Sequence, residues 1–514
     1  MFTIIIIIIG YYLTLCTWID IINCEKLVNN PHIIIILADD LGWNDVGFHG
    51  SNQIPTPNID ALAFTGIILN NYYVAPVCTP SRSALLTGKY PIHTGLQHGV
   101  IHGSAPYGLN LNEKLLPEYL RSLNYVTRHV GKWHLGSFKK DYTPEYRGFD
   151  SHYGYWTGHQ DYYDHTAIEN PGFWGYDMRR GMNVTRSDFG YYTTDLFTNE
   201  AVKVIKGHDS NKPLFLYLAH LATHSGNKYS PLQAPAETVA KFNYIKDKNR
   251  RLFAGMLSKL DESVGKVVEA LADSNMINNC VILFSTDNGG PAGGFNLNAA
   301  SNWPLRGVKD TLWEGGVRGV GFIWSPFLPS SKVSNAMIHI TDWLPTLLSL
   351  TNASNSISDI DGINVWPNLS KGLPSVRKEI LLNIDTERKI AALRYKNWKY
   401  KKGNANNWNK WYGPSGRDMN YDWNELYNSD AAKAIKHIKV LPNKKLVMEL
   451  INATQVTCNV KEEEEEEDES DQNSCERVIW HQISKMVPPR NKPVDIRSNP
   501  VYWDYTWTNW MDYL

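Results

Sequence analysis

Two adjacent pairs, Asp39-Asp40 and Asp287-Asn288, each close an apolar run and offer only oxygen donors. Three carboxylates gathered in one cleft repel by about 4 kcal/mol per pair at 4 Å and an effective dielectric near 20. A cation must offset that repulsion. Hard oxygen donors without histidine or thiolate select calcium or magnesium over zinc. A second set is cationic or titratable. Lys132 and His134, two apart on an extended segment, share a face and combine a fixed charge with a group that titrates near neutrality. His224 follows another apolar run, and Lys309 sits among glycines that let backbone approach a ligand. The candidate nucleophile is Cys78, in Cys78-Thr79-Pro80-Ser81-Arg82. These residue types equip a site to bind an anion beside a hard cation and to move protons around it.

The elements that must position them are legible as patterns. Residues 32–37, 214–218 and 281–284 are continuous apolar runs, the kind buried on both faces of a parallel sheet. Between the last two, Leu252, Phe253, Met256, Leu257, Leu260, Val264, Val267, Val268 and Leu271 recur at helical spacing. Strand, long helix, strand is the order of a layered α/β domain. The runs lead into Asp39-Asp40, into His220 and His224, and into Asp287-Asn288; open α/β sheets bind ligands just beyond such strand ends. After residue 372 regular alternation fades and tryptophans (Trp398, Trp408, Trp411, Trp423) become frequent. The expected organisation is a catalytic α/β domain over residues 31–372 and a smaller carboxy-terminal domain over 373–514, an antiparallel sheet plus a helix.

The run CTPSRSALLTG from Cys78 resembles the signature on which type I sulfatases oxidise cysteine to formylglycine. LADDLGWNDVGFHG from Leu37, GKWHLG from Gly131, FSTDNGG from Phe284 and NWPLRGVKDTLWEGGVRGVGF from Asn302 resemble the same family. Within it the similarity is greatest to the arylsulfatase B group, the N-acetylgalactosamine-4-sulfatases, and extends from about residue 31 to 385. The resemblance implies the alkaline-phosphatase-like sulfatase fold, a large mixed sheet flanked by helices. It implies that Asp39, Asp40, Asp287 and Asn288 hold one Ca2+, with the formylglycine made from Cys78 completing the shell and Arg82 steadying both. It implies that Lys132, His224 and Lys309 grip the sulfate and that His224 or Lys309 protonates the leaving alcohol. His134 would take a proton from the diol so that the covalent sulfate ester collapses to aldehyde and free sulfate. A formylglycine-generating enzyme is the implied maturation partner.

The implied substrate is a sulfated sugar such as N-acetylgalactosamine 4-sulfate in glycosaminoglycans. The alternatives are a small sulfated metabolite such as a glucosinolate, a catalytically silent sugar-binding homologue, and a phosphodiesterase. The last would need two zinc ions, several histidines and a serine or threonine nucleophile, whereas this metal set is histidine-poor. Residues 225–230, between His224 and Pro231, look like an insertion at the mouth of the site, and residues 291–301 also depart from relatives. Ser104 and Gly108 stand where those relatives carry cysteines.

Composition sets the frame. The chain has 514 residues, a net charge of −1, 43% hydrophobic and 20% charged residues. That describes a folded globular protein with no basic stripe for nucleic acid. Residues 1–24, with isoleucine throughout 4–9, read as a cleaved secretory signal, with a retained signal anchor as the alternative. No later segment reaches membrane-spanning length, so the expected destination is the secretory pathway, lysosomal or secreted. Sequons at Asn183, Asn352, Asn368 and Asn452 agree. Cys280 reads as a buried thiol. Cys458 and Cys475 flank the acidic run 462–469, a solvated loop, and a disulfide there would contribute roughly 3 kcal/mol by closing about 16 residues.

Overall fold

Alternate residues of the first strand face two different cores. A computed structural model describes residues 30–351, 357–404, 406–414, 439–441, 482–483 and 485–513. The leader, the Cys458–Cys475 pair, the acidic run and the sequons at Asn352 and Asn452 lie outside the described residues. In strand β1 (His32–Ala38), Ile34 and Ile36 pack into one apolar cluster while Ile33, Ile35 and Leu37 pack into another. A strand with both faces covered gains from apolar residues at every position, which is why its sequence is a run of isoleucines.

Among the described residues the main sheet contains ten strands. In chain order they are β1, β2 (Ile67–Leu69), β3 (Val126–Lys132), β4 (Ser151–Tyr155), β5 (Arg179–Arg180), β6 (Asn183–Val184), β7 (Leu214–Ala219), β8 (Cys280–Thr286), β9 (Gly321–Trp324) and β10 (Lys332–Ser334). Their spatial order is β10-β2-β9-β8-β1-β7-β3-β4-β5-β6. The central five, β8-β1-β7-β3-β4, are parallel, and the sheet turns antiparallel on either side at β9 and β5. Their carboxyl ends therefore emerge on one edge. Parallel register sets Ala38 beside Thr286 and Ala219 beside Gly131, so the residues that follow these strands begin at similar heights.

Helix α1 (Cys78–Thr87) lies on one face, with Leu85 and Leu86 in the same apolar cluster as Ile33 and Ile35 of β1. Helices α2 (Thr193–Lys206) and α3 (Lys248–Asp273) cover the other through Phe197, Ala201, Phe253, Leu257, Leu260 and Val264. Asp247 caps α3 by accepting from the Arg250 amide at 2.7 Å, a bond that satisfies one of the open first-turn donors. Each fully buried aliphatic side chain here contributes roughly 1.5–3 kcal/mol of transfer free energy. Cys280 is fully buried at the start of β8.

A second sheet follows, with β11 (Glu379–Asp385), β12 (Ile390–Tyr395) and β13 (Trp398–Lys402) antiparallel. A fourth strand, β14 (Lys439–Leu441), joins β13 in parallel, which differs from the purely antiparallel expectation. The stretch between β13 and β14 is long enough for the crossover that parallel pairing requires. Of the expected accompanying helix, a fragment at 482–483 lies among the described residues. Among the described residues no helix is long and apolar enough to cross a membrane.

Candidate active site

Asp40 carries φ +61°, a left-handed conformation that aspartate tolerates better than most residues. That turn at the end of β1 lets Asp39 and Asp40, which would face opposite ways on a continuing strand, address one centre. Asp287 and Asn288 follow β8 next door, and the Asp40 amide lies 3.4 Å from Asp287 Oδ1. All four are fully buried.

Helix α1 begins at Cys78 and ends at Gly88, whose φ of +69° closes it. Every residue of α1 is buried. Cys78 Sγ lies 3.6 Å from Asp39 Oδ1. One helical turn on, the Arg82 guanidinium donates through Nε and Nη2 to Asp287 Oδ2 at 3.1 and 2.8 Å, and Nη2 is 3.4 Å from Asp39 Oδ2. Its Nη1 donates to the Lys132 carbonyl at 3.1 Å, tying α1 to the end of β3.

The cations close round the carboxylates. Lys132 Nζ donates to Asp39 Oδ2 at 2.5 Å, and Lys309 Nζ sits 2.6 Å from Asp40 Oδ1. His224 Nε2 is 3.5 Å from Asp40 Oδ2, while its Nδ1 lies 2.7 Å from the Ser225 carbonyl. That second contact places the proton on Nδ1 in the neutral ring. Strand β3 stops at Lys132, and His134 has φ +60°. The expected shared face on an extended backbone is therefore not what brings them together: Lys132 points into the floor and His134 swings onto the cavity wall. The His134 ring packs on Gly158, where a Cβ would come within 2.8 Å of Nε2. Its Nδ1 is buried without a hydrogen-bond partner.

Burial and charge move the titration of these groups. Burial pushes the Cys78 thiol up, and Asp287 adds to this against the pull of Lys132. Burial raises the Asp287 carboxyl, helped by Asp39 and opposed by Arg82. For Lys309 burial works downward, but Asp40 and its neighbours outweigh it and hold the ammonium above its usual range. His134 and His224 fall well below the ordinary imidazole value, first through burial and then through Lys132 and Lys309 respectively.

Asp39, Asp40, Cys78 and His224 each place one ligand atom within 4.8 Å of the others. Asn288 Oδ1 is buried without a hydrogen-bond partner beside them. An uncompensated buried amide oxygen among carboxylates is the donor set of a hard cation. Asp287 is turned toward Arg82 and stands at the edge of this group. The site fits the implied metal.

All ten residues singled out in the sequence thus converge. Cys78, His134, His224 and Lys309 line a cavity of about 460 Å³, and the others form its floor. His220 does not join them; it lies 3.0 Å from Ser263 Oγ of α3. The wall contains residues that sequence reasoning missed, His102, His159, Glu169, Asp310 and Arg388, and also Lys228 from the 225–230 segment expected at the mouth of the site. His159 follows β4, a strand too short and polar (Ser151-His152-Tyr153-Gly154-Tyr155) to stand out by pattern. Its ring lies 6.0 Å from that of His224. Arg388 comes from the β11–β12 turn and pairs with Asp310 at 2.5 Å, a contact no local pattern announces.

The Sulfatase family model matches residues 31–353. Over 362 residues the chain is 47% identical to mouse arylsulfatase J, covering 70% of this chain and 58% of that protein. Over 359 residues it is 33% identical to human N-acetylgalactosamine-6-sulfatase, covering 66% of each. The chain thus spans less than two thirds of either relative's length. The crystal structure of Ps i-CgsB matches with a TM-score of 0.65 at 32% identity, covering 79% of this chain and 92% of that one. A further crystal structure holds that protein in complex with k-i-k-neocarrahexaose. With its mixed sheet between helices, its small second sheet and its converging strand ends, the chain belongs to the sulfatase family.

Proposed function

We propose that the chain is a calcium-dependent sulfuric ester hydrolase that cleaves O-sulfate esters of sulfated sugars, such as N-acetylgalactosamine 4-sulfate in glycosaminoglycans. The observation that carries this reading is the placement of Cys78 at the first turn of α1, 3.6 Å from Asp39 and one turn before Arg82. Converted to formylglycine and hydrated, that position supplies a geminal diol as nucleophile, and a bound Ca2+ on Asp39, Asp40, Asp287 and Asn288 supplies charge stabilisation.

The chain's own residues do the rest. Arg82 fixes Asp287 and Asp39 in place through charge-assisted hydrogen bonds that are strong because they are dry. Lys132 and Lys309 bring two ammonium groups to the carboxylate edge where sulfate oxygens would lie. Cations preorganised where negative charge develops usually supply the largest catalytic contribution. His224 sits over Asp40 with Lys309, and either the Lys309 ammonium or His224, once it is protonated at Nε2, gives the leaving alcohol its proton. His134, neutral and unpartnered at Nδ1, accepts a proton from the diol. Maturation by a formylglycine-generating enzyme places the protein in the secretory pathway, lysosomal or secreted. The test is release of free sulfate from dermatan-type oligosaccharides compared with small sulfated conjugates. Turnover of the oligosaccharides supports the assignment, turnover of the conjugates alone moves it to small metabolites, and turnover of neither contradicts it.

A further inference from the structure

The loop over residues 225–230, which looks like an insertion in the sequence, is built to hold one side chain still. Asn227 is buried and uses its whole amide. Its Oδ1 accepts from the Ile168 amide at 2.9 Å, and its Nδ2 donates to the Thr166 carbonyl at 2.9 Å and lies 3.0 Å from the Tyr229 hydroxyl. Tyr229 in turn donates to Asp164 at 2.6 Å. Gly226 and Pro231 close the base of the loop with a 2.8 Å backbone bond, and Ser225 Oγ accepts from Asn298 at 3.1 Å. Between the two anchored residues stands Lys228, exposed and on the wall of the cavity that contains Cys78 and Lys309.

The other charges of that wall are already matched. Glu169 pairs with His102 at 3.1 Å, Asp310 with Arg388 at 2.5 Å, and Lys309 with Asp40. Among the described residues Lys228 has no acidic partner. An unmatched ammonium, set on a preorganised loop at the mouth of a cavity, attracts an anion at little ordering cost. Lys132 and Lys309 are held against Asp39 and Asp40 beside Cys78, so this one addresses a different part of the ligand.

We propose that Lys228 forms a specificity subsite for a second acidic group on the substrate, a carboxylate or a further sulfate on the sugar adjoining the one that loses sulfate. This rests on the sulfatase reading and narrows it to polyanionic saccharides. Lys228 makes no bond to the reacting atoms, so its contribution falls on substrate binding and appears in KM rather than kcat.

The experiment uses the full-length enzyme purified from a secretory host. Its substrates are a sulfated N-acetylgalactosamine linked to glucuronate, the same disaccharide with the carboxylate reduced to an alcohol, and the reduced form with a second sulfate. Lys228→Ala should reduce the KM preference for the doubly acidic substrates over the reduced one by roughly three- to tenfold at low salt. Lys228→Glu should reduce it further, and Lys228→Arg should retain it. A preference restored by the second sulfate assigns the subsite to either anion; one seen with the uronate alone assigns it to a carboxylate. A preference that Lys228→Ala leaves unmoved, or a change confined to kcat, overturns the assignment while leaving the sulfatase reading intact. No sulfate release from any of the three by the unaltered enzyme removes the sulfated-sugar reading and this one with it, and leaves sulfatase activity itself to the small conjugates.

Discussion

Arg82 and Asp287 lie 205 positions apart in the sequence and meet with no exposure to solvent, two guanidinium nitrogens on one carboxylate oxygen. Asp39 leans on the same guanidinium at 3.4 Å. Arginine is the side chain that can serve both at once, because its planar fork has several fixed donors. Replacing Arg82 by methionine leaves buried carboxylates without their partner. The expected loss is about 3–5 kcal/mol of stability, read by denaturant unfolding. Arg82→Lys should recover part of the stability and little of the sulfate release. A methionine variant as stable as the parent would show that the pair does not hold the floor together.

Metal removal should destabilise the fold as well as silence it. A ligand held at about a hundred times its Kd adds roughly 2.7 kcal/mol to the native state. Chelation should therefore lower the melting temperature, and Ca2+ should restore it. Asp40→Asn should blunt that recovery. Unchanged melting after chelation would contradict the cation site.

The Gly158 contact gives a local test of His134. Gly158→Ala drives a methyl toward Nε2, within 2.8 Å of its present position, so the ring must move. Loss of a positioned proton acceptor costs about 10²–10⁴ in rate. His134→Gln should show a loss in that range, and Gly158→Ala a smaller one, with the melting temperature of His134→Gln close to the parent's. Full activity in both would remove His134 from proton transfer.

The His102–Glu169 pair on the cavity wall sets a pH dependence. Burial pushes Glu169 up, but the His102 hydrogen bond, together with the charges of His159 and His102, outweighs it and holds the carboxyl at about 2, from an ordinary 4.5. The Glu169 hydrogen bond raises His102 from its ordinary 6.5 against burial. The glutamate's contribution is present above 4.5 and is lost as pH falls toward about 2. The histidine's is complete below 6.5 and is lost as pH rises through its raised folded value. His102→Gln should therefore lower the melting temperature most between pH 4.5 and 6.5, with the gap closing in alkali. A gap independent of pH would show the pair to be uncharged.

The floor of the site was readable because its residues terminate strongly patterned elements. An isoleucine strand announces where Asp39 and Asp40 must fall, and the apolar run over residues 281–284 does the same for Asp287 and Asn288. The rest of the wall, beyond Cys78, His134, His224, Lys309 and the 225–230 insertion, was not readable. Glu169 ends a four-residue strand (Thr166–Glu169) too short to stand out and Arg388 comes from a turn, and tertiary pairing with His102 and Asp310 brings them to the cavity. His134 reached its place by a left-handed turn rather than by the strand periodicity that first drew attention to it. The fourth strand of the small sheet escaped notice because three residues, Lys439–Leu441, carry too short a pattern.

The most direct measurement is the mass of the Cys78 peptide from enzyme made in a secretory host. The account predicts an aldehyde in place of the thiol, trapped by a hydrazine reagent, and its disappearance together with sulfate release in Cys78→Ala. An unmodified cysteine in enzyme that still releases sulfate would contradict it.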